Sequence, residues 1–319
     1  PQSQQDMMLS QLNEQQVAEL AEKSNVETMK KFNERPGTVS NQYLHDLYRF
    51  FKLSVRKSEF RDIFKEKLDL HHVPALDNIL HWEDVLFPIA DFYLSKERWD
   101  EAIEIYEELE TIGGFEGESA EYYQKFGYAL QKRKKYAEAI QAYLKADTLK
   151  PDNIWNNRHL AICYRLNRNY QVAITYYKKV EEAAPEDTNV TFYIGSCLAE
   201  LGQYEEALNY FFKLDFIENN CIKAWRGIGW CSFVSQKYEQ AMKYYEKIIE
   251  QKPLAIDYMN AGHVAWVMGD IQKAAVFYGK AITASGNRER FLEMFHKDEE
   301  ALLTQGIREE DIPLMLDLL

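Results

Sequence analysis

One eight-residue pattern recurs through this chain at a nearly constant step. WDEAIEIY (99–106), YAEAIQAY (136–143), YQVAITYY (170–177), YEEALNYF (204–211), YEQAMKYY (238–245) and IQKAAVFY (271–278) each place an alanine fourth and an aromatic eighth. The alanines are Ala102, Ala139, Ala173, Ala207, Ala241 and Ala274, separated by 37, 34, 34, 34 and 33 residues. A period of this length is the mark of a repeated supersecondary unit, and it restricts the fold before any single residue is weighed.

Each unit predicts two helices. The recurring octet has apolar residues at helical spacing, and so does the segment before it, as in TFYIGSCLAELG (191–202) and AWRGIGWCSFVSQ (224–236). Pro151, Pro185 and Pro253 come after three of the second helices, where a proline stops propagation. Two helices that pack closely need small residues where their backbones approach, and large rings fill the space beside them. One such hairpin cannot cover its own apolar face, so copies must stack.

The small residues of the first helices are Ala90, Gly127, Ala161, Gly195, Gly229 and Gly262. The second helices open on Trp99, Tyr136, Tyr170, Tyr204 and Tyr238, with Ile271 in the last copy. One turn past the alanine stand Tyr106, Tyr143, Tyr177, Phe211, Tyr245 and Tyr278. Together these positions resemble the tetratricopeptide repeat (TPR), whose first-helix tryptophan survives here only as Trp225. The resemblance implies an all-α, right-handed α-solenoid of about six TPR-like hairpins. They fall at about 83–118, 120–153, 154–187, 188–221, 222–254 and 255–287. A degenerate helical region (1–82) precedes them, and a capping helix and tail (288–319) complete the chain.

Within the N-terminal region, 11–24, 43–53 and 58–68 read as amphipathic helices. At the other end, a helix from about Arg288 to Thr304 suits the role of cap, and the apolar 312–319 folds back over it or continues into further sequence. The start lacks an initiator Met, which suggests a processed chain or a segment of a longer one.

Composition narrows the function. Acidic residues outnumber basic ones 51 to 38, giving a net charge of −13, which disfavours nucleic acid and anionic membranes as partners. No apolar run approaches the roughly 18 residues of a membrane span, so no membrane insertion is expected. The chain carries no metalloprotease, nucleophile-elbow, P-loop or kinase motif. GGFEGE (113–118) reads as a loop that lengthens the first step, and GIG (227–229) as helix packing. Asp77, His81 and Asp84 share a helical face but make a weak ligand set beside His71 and His72. Cys163, Cys197 and Cys231, 34 apart at one repeat position, read as small buried apolar groups, and Cys221 as the exposed thiol. The expectation is a non-enzymatic, cytoplasmic protein with no cofactor.

In proteins of this kind the first helices line a concave wall. The candidate lining is Trp155, Arg158, His159, Ile162 and Arg165, then Phe192, Tyr193 and Ser196, then Lys223, Arg226, Trp230 and Phe233, and finally Met259, Asn260, His263 and Trp266. Rich in Trp, Phe, Tyr and Arg, it has the composition of a binding hot spot. It points to a protein or peptide ligand with apolar anchors and some negative charge. The Lys/Asn set with which some TPR proteins grip a C-terminal carboxylate is absent from Gln124, Tyr128, His159, Asn189 and Tyr193. Two other roles stay open: a regulatory arm of a larger protein, and an envelope-associated, carbohydrate-binding role.

Overall fold

The computed structural model describes residues 83–112 and 119–319, which form fifteen α-helices and no strand. The segments 11–24, 43–53 and 58–68, the His/Asp cluster and the 113–118 loop lie outside the described residues or their described side chains. The chain divides into two compact units, residues 1–135 and 136–319.

The first unit contains α1 (Glu83–Ser95), α2 (Trp99–Ile112) and α3 (Ala120–Lys132). Its centre is aromatic: Phe87, Tyr106, Tyr122 and Phe126 meet at ring-centroid distances of 5.3 to 6.3 Å. The Tyr122 hydroxyl donates to the Tyr106 carbonyl at 2.6 Å, and Lys125 joins Asp91 at 2.7 Å, so α3 is tied to both earlier helices.

The second unit begins with α4 (Tyr136–Leu149) and continues through four hairpins. These are α5 (Ile154–Leu166) with α6 (Tyr170–Ala183), α7 (Thr188–Glu200) with α8 (Tyr204–Ile217), α9 (Ile222–Val234) with α10 (Tyr238–Ile249), and α11 (Ala255–Val267) with α12 (Ile271–Ser285). Each helix packs on its neighbours in sequence. Beyond that, α7 touches α9 and α9 touches α11, whereas the second helices make no comparable contact among the described residues. First helices that approach one another while second helices do not place the first helices on the inside of a curve. This unit is therefore a TPR-like solenoid with an inner wall of first helices.

The hairpins owe their closeness to steric fit. A Cβ added at Gly229 would lie 2.8 Å from the Tyr245 ring, and one at Gly262 2.5 Å from the Tyr278 ring. Phe211 is held between two glycines, with Gly195 of its own hairpin and Gly227 of the next both pressed on its ring. The alanine series is fully buried, as are Tyr106, Tyr143, Tyr245 and Tyr278. Small residue against large ring is thus the repeated contact that builds the core.

Every first helix up to α11 ends the same way. One residue enters the left-handed region, and the next N–H reaches back to a carbonyl five residues earlier, as in Lys237 N to Ser232 O at 2.8 Å and Asp270 N to Ala265 O at 2.9 Å. The left-handed residue is Gly202 or Gly269 in two turns, but Glu97, Lys134, Arg168 and Gln236 in the others.

The C-terminal region departs from the single helix expected over 288–304. It forms α13 (Arg288–Phe295), α14 (Glu299–Thr304) and α15 (Asp311–Asp317). Phe291 and Phe295 of α13 and Leu302 of α14 are fully buried, so the helices on both sides of the break contribute to the core. Gln305 accepts from the Tyr238 hydroxyl at 2.8 Å and donates to the Val234 carbonyl at 3.3 Å. Ile312 and Met315 are buried, and the Leu316 carbonyl accepts from Arg288, so the tail does fold back on the cap. No described helix is long and apolar enough to cross a membrane.

Candidate functional site

The inner wall of the second unit holds a cavity of about 390 Å³. Phe192, Ser196, Ala199 and Glu200 of α7, Lys223, Arg226, Gly227, Trp230 and Cys231 of α9, and Ile256, Asp257 and Asn260 of α11 surround it, with Phe211 of α8 as floor. Three successive first helices thus contribute to one site. Gly227 is essential to its shape, because any side chain there would collide with the Phe211 ring.

Of the expected lining, Phe192, Arg226, Trp230 and Asn260 come together here. Trp155 lies further along the wall, 41% exposed, with its ring 3.9 Å from His159 and edge-on to Tyr143. Arg165 belongs to a second cavity of about 220 Å³, with Leu166, Arg168, Tyr170, Ser196, Cys197 and Glu200. Tyr193 stacks on Tyr177 and carries the Arg165 guanidinium over its face at 4.6 Å.

Four expected residues are not on a free wall. Phe233, Met259, His263 and Trp266 are buried. The His263 ring lies among Phe233, Tyr278 and Phe295, with Nδ1 2.7 Å from the Tyr278 hydroxyl and Nε2 3.6 Å from Asp298. The chain after α12 folds over this position and closes the wall at the last repeat. Burial lowers the His263 pKa below the ordinary histidine value, and Asp298 opposes that shift without reversing it.

Two arginines expected to meet a ligand already have partners. Arg226 grips Asp257 with two hydrogen bonds of 2.7 Å, and Asp257 is buried and also accepts from the Leu254 N–H. Hydrogen bonding to that carboxylate raises the Arg226 pKa. Arg158 meets Asp187 at 2.6 Å, and Asp187 caps α7 through the N–H groups of Asn189 and Val190. Burial pushes the Asp187 pKa up, but Arg158 and those N–H groups prevail and hold it low. Both pairs link one first helix to the next, so these side chains set the spacing of the wall.

The thiols behave as buried apolar groups. Burial raises Cys163, Cys197 and Cys231 to about 12. Cys221 is buried too, contrary to expectation. It sits just before α9, packed with Leu214, Ala224 and Phe192, and its thiol faces Glu218 at 3.1 Å.

Sequence reasoning passed over Glu200, Gly227, Ile256 and Asp257 as lining, and Arg168 and Tyr170 beside Arg165. Gly227 carried a readable signal, a second glycine two residues before the recurring small position. Asp257 carried none, since its role depends on an arginine 31 residues away.

Comparison with known proteins agrees with this architecture. Tetratricopeptide-repeat families match residues 86–113 and 120–153, and the family described as anaphase-promoting complex, cyclosome, subunit 3 matches 166–248. Among solved structures, a tetratricopeptide repeat protein from Parabacteroides merdae is 18% identical, with a TM-score of 0.52, over 73% of this chain and 96% of that one. YrrB, described as a TPR protein with an unusual peptide-binding site, is 23% identical over 56% of this chain and 93% of its own, with a TM-score of 0.48. No curated protein matches. At these identities the structural likeness speaks for the fold. Together with the repeat matches and the hairpins, it identifies the chain as a tetratricopeptide-repeat protein.

Proposed function

We propose that this chain is a non-catalytic scaffold that captures a peptide or helical segment on the inner wall of its second unit. The contact centres on the cavity between α7, α9 and α11. One observation carries the reading: three successive first helices converge on a site with an aromatic floor and walls, Phe192, Phe211 and Trp230, and polar groups at its edge, Lys223 and Asn260. Sites of this make-up, apolar with a few placed polar groups, suit a side-chain anchor. Trp and Tyr at the centre of a contact carry a large share of binding energy.

The wall accepts an apolar anchor more readily than a highly charged one. Arg226 and Asp257 neutralise each other, which leaves the cavity close to balanced in charge. The Arg226–Asp257 pair keeps α9 and α11 at fixed separation, so the site is preformed, and binding costs little ordering of the protein.

The test is selection of 12-residue peptides from a displayed random library on the whole protein, then binding of the winners to Trp230→Ala. The expected result is at least about tenfold weaker binding, with the melting temperature nearly unchanged, because Trp230 is only half-buried. Equal binding to the variant would contradict the site.

A further inference from the structure

The first helices of the second unit carry positive charge in two different ways. Arg158, Arg226 and Lys223 each have a carboxylate of this chain nearby: Asp187 at 2.6 Å, Asp257 at 2.7 Å and Glu218 at 3.5 Å. Arg165 is placed differently. Its guanidinium carbon lies 4.6 Å from the centre of the Tyr193 ring, and its Nε donates to the Tyr177 hydroxyl at 3.4 Å. No carboxylate among the described residues forms an ion pair with it, nor with Arg168 one turn on. Arg165 and Arg168 line the cavity of about 220 Å³. The acidic residue lining it is Glu200, which forms no ion pair with either arginine.

Arg165 is therefore oriented but unanswered. Contact with the Tyr193 ring and the Tyr177 hydroxyl restricts its motion, which lowers the ordering cost of a guanidinium meeting a carboxylate. The site is partly screened from water, so a charge-assisted hydrogen bond there is stronger than on an open surface. Ser196 and Glu200 line both this cavity and the larger one, so one ligand crossing α7 reaches both. Among the residues lining the two cavities, four are basic (Arg165, Arg168, Lys223, Arg226) and two acidic (Glu200, Asp257), on a chain whose net charge is −13.

We propose that Arg165, assisted by Arg168, is an acid-reading subsite: it binds the side-chain carboxylate of an aspartate or glutamate in the same peptide whose apolar anchor fills the cavity at Trp230. This rests on the peptide-binding function proposed for the wall and adds a rule for which peptides are taken. The ligand carries an acidic residue at a fixed offset from its anchor, on the side that lies over α5 and α7.

The experiment uses the library-selected peptides and a double-mutant cycle read by fluorescence polarisation. Selection on the native protein is expected to enrich Asp or Glu at one offset from the anchor. Changing that residue to Asn or Gln weakens binding about tenfold on the native protein and less than about twofold on Arg165→Gln. Arg168→Gln, at an exposed turn, reduces the same preference by a smaller factor, so a folding defect in Arg165→Gln does not hide the result. If the peptides depend on Trp230 but show no acidic preference, or the preference is unchanged in both arginine variants, the subsite is wrong and peptide capture stands. If the library yields no binder, both readings fall together.

Discussion

Trp230 and His263 each come directly after the small residue of their first helix, in neighbouring repeats, and their fates differ. Trp230 is half-buried and walls an open cavity. His263 is sealed among Phe233, Tyr278 and Phe295, with Asp298 beyond it. Nothing in the repeat register separates them. The difference lies in the next element: α11 stands beyond Trp230 and leaves space, whereas the chain from α13 to Asp298 closes over His263. In a stacked-repeat protein the same position is wall or core according to the element stacked on it, and the last repeat gives up wall to gain a cap.

The largest expected effect tests the closed side. Phe295→Ala empties a fully buried site against His263 and Tyr278 and is expected to cost about 3–5 kcal/mol in urea unfolding. Trp230→Ala is expected to cost far less, because much of that ring is already exposed. Similar losses for the two would erase the contrast. Next comes the steric fit. Gly262→Ala drives a Cβ to 2.5 Å from the Tyr278 ring and should cost about 1–3 kcal/mol.

Acid should loosen the same closed side. The His263 pKa lies below the ordinary value of 6.5 in the folded state, so the unfolded chain takes up the proton first. The stability this histidine contributes is complete above about pH 6.5 and declines as pH falls through that value toward its folded pKa. Melting temperature measured from pH 8 to 5 is expected to drop by several degrees more in the native protein than in His263→Gln. Equal slopes would mean that His263 is not buried neutral. The smallest effect lies away from both regions. Gly279, in α12, has no atom within 4 Å of an added Cβ, so Gly279→Ala should stabilise by about 0.5–1 kcal/mol through helix propensity alone.

The hairpins were legible because their signals are local and steric. Alanine, glycine and aromatic residues recur where backbones touch, and these contacts allow few substitutes. The left-handed turns at Glu97, Lys134, Arg168 and Gln236 were not legible, since no glycine marks them; the hydrogen bonds closing the turn hold them in place. The wall was legible in part. Phe192, Arg226, Trp230 and Asn260 fell together as expected, because first-helix periodicity alone places them. His263 was misplaced because its depth depends on a cap whose path breaks at His296–Asp298, Phe233 because it packs on that histidine, and Trp266 because it packs on Tyr278. Arg158 and Arg226 looked available to a ligand because a sequence does not show that Asp187 and Asp257 come to meet them.

The contrast between open and closed wall can be read in one measurement. With 5-fluorotryptophan incorporated, ¹⁹F NMR resolves the tryptophans, and single Trp→Phe variants assign them. A soluble gadolinium chelate is expected to broaden Trp230 and leave Trp266 sharp, and a library-selected peptide is expected to shift Trp230 and protect it from broadening. Equal broadening of Trp266, or a Trp230 signal indifferent to every bound peptide, would contradict the account.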